Sequence, residues 1–142
     1  MKALGLAAIA LIGSALPALA GEAPAQAQTA PPAPRGYVIF FDHGGAWIPE
    51  EAEALLPQVA EVYRRIGYAA VAIACYSDNV GSQDLNIALT QDRADRIKGD
   101  LVIYGVPEAA IAAVGKGFVD PLVPDAPLDV AVSNRRCTID LG

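Results

Sequence analysis

Between residues 36 and 142, short apolar runs alternate with two long helical repeats, and that alternation restricts the chain to layered arrangements of helices on a sheet. Tyr37-Val38-Ile39-Phe40-Phe41 is β-branched and aromatic and reads as a buried strand. Pro49, Glu50 and Glu51 mark a helix start, with acidic side chains at the positive end of the helix dipole. Ala52, Leu55, Leu56, Val59, Val62, Tyr63 and Ile66 follow at helical spacing, and Gly67 marks the end. Pro57 falls inside this helix and is expected to kink it. Ala69 to Cys75 has no polar residue and reads as a second strand covered on both faces.

A second helix is expected from Ser82 or Gln83 to Val102, with Leu85, Leu89, Ile97 and Leu101 on its apolar side, Gly105 ending it and Pro107 beyond. Ala110 to Val114 reads as a third strand, Gly115 to Ser133 as mostly loop, and Arg136 to Leu141 as a last strand. The order βαβαββ gives an α+β fold, a two-layer sandwich with helices on a mixed β-sheet.

The segments before residue 36 have a different character. Met1 and Lys2 precede an apolar run from Ala3 to Leu16, then Pro17 and the small-x-small triplet Ala18-Leu19-Ala20. This is the layout of a signal peptide over residues 1–20, and the run is shorter than the ~20 residues of a spanning helix. Residues 21–35 are rich in Ala, Pro and Gln without periodicity and read as a disordered linker. Residues 36–142 form the folded domain, which is expected to be exported and to lack a membrane span. A net charge of −6 argues against a nucleic-acid partner, which calls for a basic surface. Two cysteines and one histidine are too few for a typical structural zinc site, and no cofactor motif is present.

The stretch from Ser77 to Leu101 carries the chemistry. Asp78 ends the second strand in a turn with Gly81 three residues on, and Asn86 and Arg93, seven apart, share a helix face. If the strand end meets the early helix, Asp78 and Arg93 converge. Together they can grip a zwitterion, Asp78 taking an ammonium and Arg93 a carboxylate. An Asp–Arg bridge that merely ties strand to helix explains the same pattern, and the spacing alone does not separate the two.

Ser77-Asp78-Asn79-Val80-Gly81, followed by Asn86, Leu89, Thr90, Arg93, Ala94, Ile97 and Leu101, resembles the T-D-x-x-G and N-x-x-L-S-x-x-R-A pattern of the OmpA-like peptidoglycan-binding domain. Gly105-Val106, the V-G-x-G of Val114 to Gly117, and Asn134-Arg135-Arg136 before the last strand extend the resemblance over about Tyr37 to Leu141.

The resemblance implies non-covalent binding of the peptidoglycan stem peptide through diaminopimelate. Asp78 and Arg93 would hold its free amino-acid end. Leu89 would line the pocket, Asn86 would support the turn, and Ser77 would donate a hydrogen bond. Asp42 would correspond to the family's aspartate after the first strand. A periplasmic location at the cell wall or outer membrane follows, with an envelope protein as a further candidate partner. The family's sheet sets the second and last strands side by side, antiparallel. In an oxidising compartment that implies a Cys75–Cys137 disulfide.

This chain departs from the family at Tyr76, where a histidine is common, and at Asp42-His43-Gly44-Gly45-Ala46-Trp47, which replaces the usual loop. That loop also looks like the H-G-G-x-W oxyanion segment of esterases. Such an enzyme needs a G-x-S-x-G elbow and a second histidine, and the chain has neither, so no enzymatic activity is expected. Trp47 is expected to cap the core or the pocket rim. A domain that has lost wall binding and serves only as an envelope interaction module is the alternative.

Overall fold

The computed structural model describes residues 33–42, 45–122 and 131–142. The expected signal segment and nearly all of the expected linker lie outside the described residues, as do His43 and Gly44.

The elements run β1 (Gly36–Phe40), α1 (Glu50–Ile66), β2 (Val71–Tyr76), α2 (Gln83–Ile103), β3 (Ile111–Gly117) and β4 (Arg136–Leu141). Short 3₁₀ turns at Glu108–Ala110 and Ala131–Asn134 lead into β3 and β4. This is the expected βαβαββ order. The strands form one mixed sheet in the order β1-β4-β2-β3, with β4 antiparallel to both β1 and β2 and β2 parallel to β3. Ile39, Val71, Ile73, Cys75, Cys137, Ile139 and Leu141 point to one face and share a core with Leu56 and Val59 of α1 and Ala94, Ile97 and Leu101 of α2.

The opposite sheet face is largely open, which corrects two expectations. Val38 and Phe40 are about half exposed, so β1 is an edge strand buried on one face only. In β2, Ala72 is exposed and Ala74 half-buried, so the lack of polar residues there reflects small side chains on an open face. The run Gly115 to Ser133 is also less irregular than expected, because β3 continues to Gly117.

Local chemistry explains the helix ends. Ser82 caps α2 by accepting the Leu85 N–H at 3.3 Å. Gly67 adopts the left-handed conformation, φ 80°, that ends α1, and its N–H bonds the Tyr63 carbonyl. Pro57 does not break α1, which is continuous from Glu50 to Ile66. The Gln58 side-chain amide donates to the Ala54 carbonyl in the same turn.

α2 does more than cover the sheet. Its side chains bond the outer edge of β3: the Gln91 amide accepts from Gly115 N–H and donates to the Ala113 carbonyl, and Thr90 Oγ1 accepts from Gly117 N–H. An open strand edge is thereby satisfied and shielded. The approach is so close that a Cβ on Gly115 would lie 2.2 Å from Gln91 N.

Cys75 on β2 and Cys137 on β4 are register partners and are joined by a disulfide, as the resemblance implied. They are 62 residues apart, so the bridge stabilises the fold by about 4 kcal/mol in the chain-entropy model. Thiol titration of the denatured, unreduced protein should find no free thiol, and Cys75→Ser with Cys137→Ser should lower unfolding stability by about that amount in urea titrations. Gly115→Ala should also destabilise, by about 3 kcal/mol, because the helix backbone cannot yield as a flexible side chain could. A wild-type urea midpoint for that variant would contradict the close packing.

Candidate functional site

The C-terminal end of β2, the start of α2 and the entry to β4 enclose a cleft of about 290 Å³ lined by Ser77, Asp78, Val80, Asn86, Leu89, Arg93 and Arg135. β2 delivers the first two residues. Ser77 N–H bonds the Gly117 carbonyl at 2.8 Å, which carries the pairing one residue past the strand. Asp78 then folds back, and its Oδ1 accepts Val80 N–H at 3.2 Å in an Asx turn. Gly81, at φ 87°, completes the turn into α2. Asn86 holds this corner, donating from Nδ2 to the Val80 and Ser82 carbonyls at 2.8 and 2.9 Å. Its side chain is buried at the turn.

One turn further along α2, Leu89 supplies an apolar wall, and Arg93 lies beyond it with 0% exposure. Arg93 Nε donates to the Gly45 carbonyl at 2.9 Å, and its guanidinium carbon sits 4.5 Å from the Phe41 ring centre. The aromatic face therefore stabilises the cation from below. Phe41 also organises a second arginine. Its N–H bonds the Arg135 carbonyl at 2.8 Å, and its own carbonyl accepts from Arg135 Nε at 3.1 Å.

Arg135 Nη1 reaches Asp78 Oδ2 at 3.3 Å, and this partly buried pair is the carboxylate–guanidinium bridge of the site. The sequence expectation paired Asp78 with Arg93. The structure places both on one cleft but gives the ion pair to Arg135, which the sequence reading treated only as part of the entry to the last strand. A strand signal was present: side chains alternate, so Arg135 and Arg136 must face opposite ways. Arg136 turns to the open face, stacking 4.1 Å over Tyr76 and donating to the Asp120 carbonyl.

Asp42 is not brought to this cleft. It is exposed and lines a separate groove with Val38, Phe40, Pro49 and Leu55. Trp47 does not cap the core or this pocket, because it is 78% exposed. Among the described residues, no group of three or more His, Cys, Asp or Glu side chains could hold a metal ion.

The electrostatics of the cleft are unbalanced. Two guanidiniums face one carboxylate among its lining residues. Arg93 is lowered to about 10, first by burial and then by the charge of Arg135, with Asp78 opposing. The Ser77 hydroxyl is buried and has no hydrogen-bond partner among the described residues. A small group bearing both a carboxylate and an ammonium would complement all of these features.

Comparisons with known proteins give the family and the fold. The OmpA family model matches residues 40–135. The peptidoglycan-binding protein ArfA of Mycobacterium tuberculosis is 37% identical over 104 residues, which are 73% of this chain and 32% of ArfA. The probable lipoprotein YiaD of Escherichia coli is 31% identical over 104 residues, 73% of this chain and 48% of YiaD. The chain thus spans about a third to a half of these curated relatives. Among solved structures, the peptidoglycan-associated lipoprotein of Burkholderia pseudomallei superposes with a TM-score of 0.69 at 26% identity, covering 78% of this chain and 92% of that one.

The buried cation has a consequence for stability. A folded-state value of about 10, below the ordinary guanidinium value, means that the native protein binds the Arg93 proton less tightly than the unfolded chain does. The resulting penalty is present below about pH 10 and is relieved as pH rises from there towards the ordinary guanidinium value. Arg93→Met keeps the apolar stem and removes the charge, so at pH 7 it should melt at or above the wild-type temperature. A drop of more than about 5 °C, on the order of 1 kcal/mol, would instead make the guanidinium a net structural tie.

Proposed function

The chain belongs to the OmpA family, and we propose that it binds peptidoglycan non-covalently, holding the diaminopimelate of the stem peptide in the cleft between β2, α2 and β4. The observation that carries this reading is two guanidiniums and one carboxylate gathered in one small cleft beside a buried hydroxyl that has no hydrogen-bond partner among the described residues. Diaminopimelate ends in a carbon that bears both an ammonium and a carboxylate. Arg93 and Arg135 attract the carboxylate, Asp78 takes the ammonium, Ser77 donates a hydrogen bond, and Leu89 packs on the aliphatic chain.

Recognition of both charges on one carbon discriminates against peptides that carry only one of them. Asn86 acts through the turn rather than on the ligand. The binding unit is residues 36–142, and the setting is the periplasm, at the cell wall. No helix among the described residues is long and apolar enough to cross a membrane. Relatives whose names describe wall binding or wall association support the same ligand.

Co-sedimentation with purified diaminopimelate-type sacculi tests the reading. Wild type should pellet with the sacculi. Asp78→Asn keeps the shape of the turn but removes the charge, and it should bind about 30-fold more weakly, a loss of about 2 kcal/mol. Arg93→Met should lose binding while staying folded. Failure of the folded wild type to pellet would overturn wall binding and turn attention to a protein partner.

A further inference from the structure

Beside the pocket lies a second cleft of about 340 Å³, whose walls include Trp47, Glu53, Arg96, Asp100 and Ile103, with Gly99 on its floor. Trp47 and Ile103 are each 78% exposed, an unusual outlay of large apolar surface on so small a domain. Gly99 lies inside α2, where glycine is a poor helix former, and a Cβ added there would meet nothing within 4 Å. Packing does not require the glycine, and its absent side chain keeps the floor of the cleft open.

Resting on the wall-binding reading, we propose that this cleft takes the N-acetylated amino-sugar unit of the same peptidoglycan whose stem peptide occupies the pocket. An exposed indole offers a flat face to the C–H face of a pyranose ring. Glu53, Arg96 and Asp100 around it supply donors and acceptors for hydroxyl and acetamide groups, the mix expected of a site that binds a polar ring.

Both clefts are lined by residues of α2. Arg93, Arg96 and Asp100 follow at helical spacing along α2, and Arg93 Nε fixes the Gly45 carbonyl two residues before Trp47. From Arg93 to Asp100 the helix advances ~10 Å. A stem peptide that reaches diaminopimelate as its third residue spans at most ~10 Å as well. A single disaccharide-peptide unit can therefore engage both clefts.

Trp47 is the sole tryptophan of the chain, so its emission reports on this cleft alone. Calorimetry and fluorescence should be run with a diaminopimelate stem peptide and with the same peptide on its disaccharide. Wild type should bind the disaccharide-peptide about tenfold more tightly, and only that ligand should shift the tryptophan emission to the blue. Trp47→Ala, and separately Gly99→Leu, which fills the floor, should erase the tenfold preference and leave affinity for the bare peptide unchanged. Equal wild-type affinities with silent emission would overturn the sugar cleft while leaving the pocket intact. Equal weakening of the bare peptide by Trp47→Ala would overturn it too, by making the loop part of the pocket. Binding of neither ligand would remove both readings.

Discussion

A guanidinium with no exposed surface, held between an aromatic ring and a backbone carbonyl, dictates how this molecule is assembled around its cleft. Arg93 brings a charge into the interior, where charge is costly unless it is stacked, bonded and paired. Phe41 lies under it, the Gly45 carbonyl accepts from it, and Asp78 opposes the two effects that weaken its proton. Phe41 and Gly45 come from the loop after β1, Asp78 from the end of β2, and Arg135, whose charge also acts on Arg93, from the entry to β4. The loop after β1, the end of β2, α2 and the entry to β4 are therefore arranged around one side chain. The charge is retained at some cost to the fold, as expected where a residue serves a ligand rather than stability.

Rigid scaffolding keeps that arrangement in place. The Cys75–Cys137 bridge joins the two central strands, two residues before Ser77 on one side and two after Arg135 on the other. It pins the ends that carry the pocket's hydroxyl and its ion pair. On the far side, Gly115 lets α2 approach β3 closely enough for Gln91 and Thr90 to bond the strand's backbone. Leu89 and Arg93, on either side of that contact, inherit its precision. A grip on two charges only a few ångströms apart needs such fixed geometry, since a loosened site loses the contrast between ligands.

Much of this was legible in the sequence, and what was not has physical causes. The periodicity of α2, its serine cap and the glycines at its neighbours' turns are local signals, and they placed Asp78, Asn86 and Arg93 on one cleft. Partner choice is not local. Asp78 bonds Arg135, 57 residues away, because β4 returns beside β2, and no spacing within Ser77 to Leu101 carries that information. Asp42 was matched through a loop whose sequence departs from the family pattern, and one residue decides the outcome. Phe41 faces inward, so its neighbour faces solvent. The burial of β1 and β2 was overestimated because β-branched and alanine runs do not say whether a helix covers each face. Trp47 was expected to be covered for a similar reason: its size suggests a core residue, yet its surroundings leave it exposed.

The central claim is that the cleft recognises both charges of one zwitterionic carbon. Calorimetric titration with two synthetic stem peptides, identical except that one carries diaminopimelate and the other lysine at the third position, tests it most directly. Lysine keeps the side-chain ammonium and lacks the carboxylate. The diaminopimelate peptide should bind at least about 30-fold more tightly, since only its carboxylate adds a charge-assisted contact to the guanidiniums of the cleft. Equal affinity for the two peptides would contradict the claim and reduce the Asp78–Arg135 pair to a structural bridge.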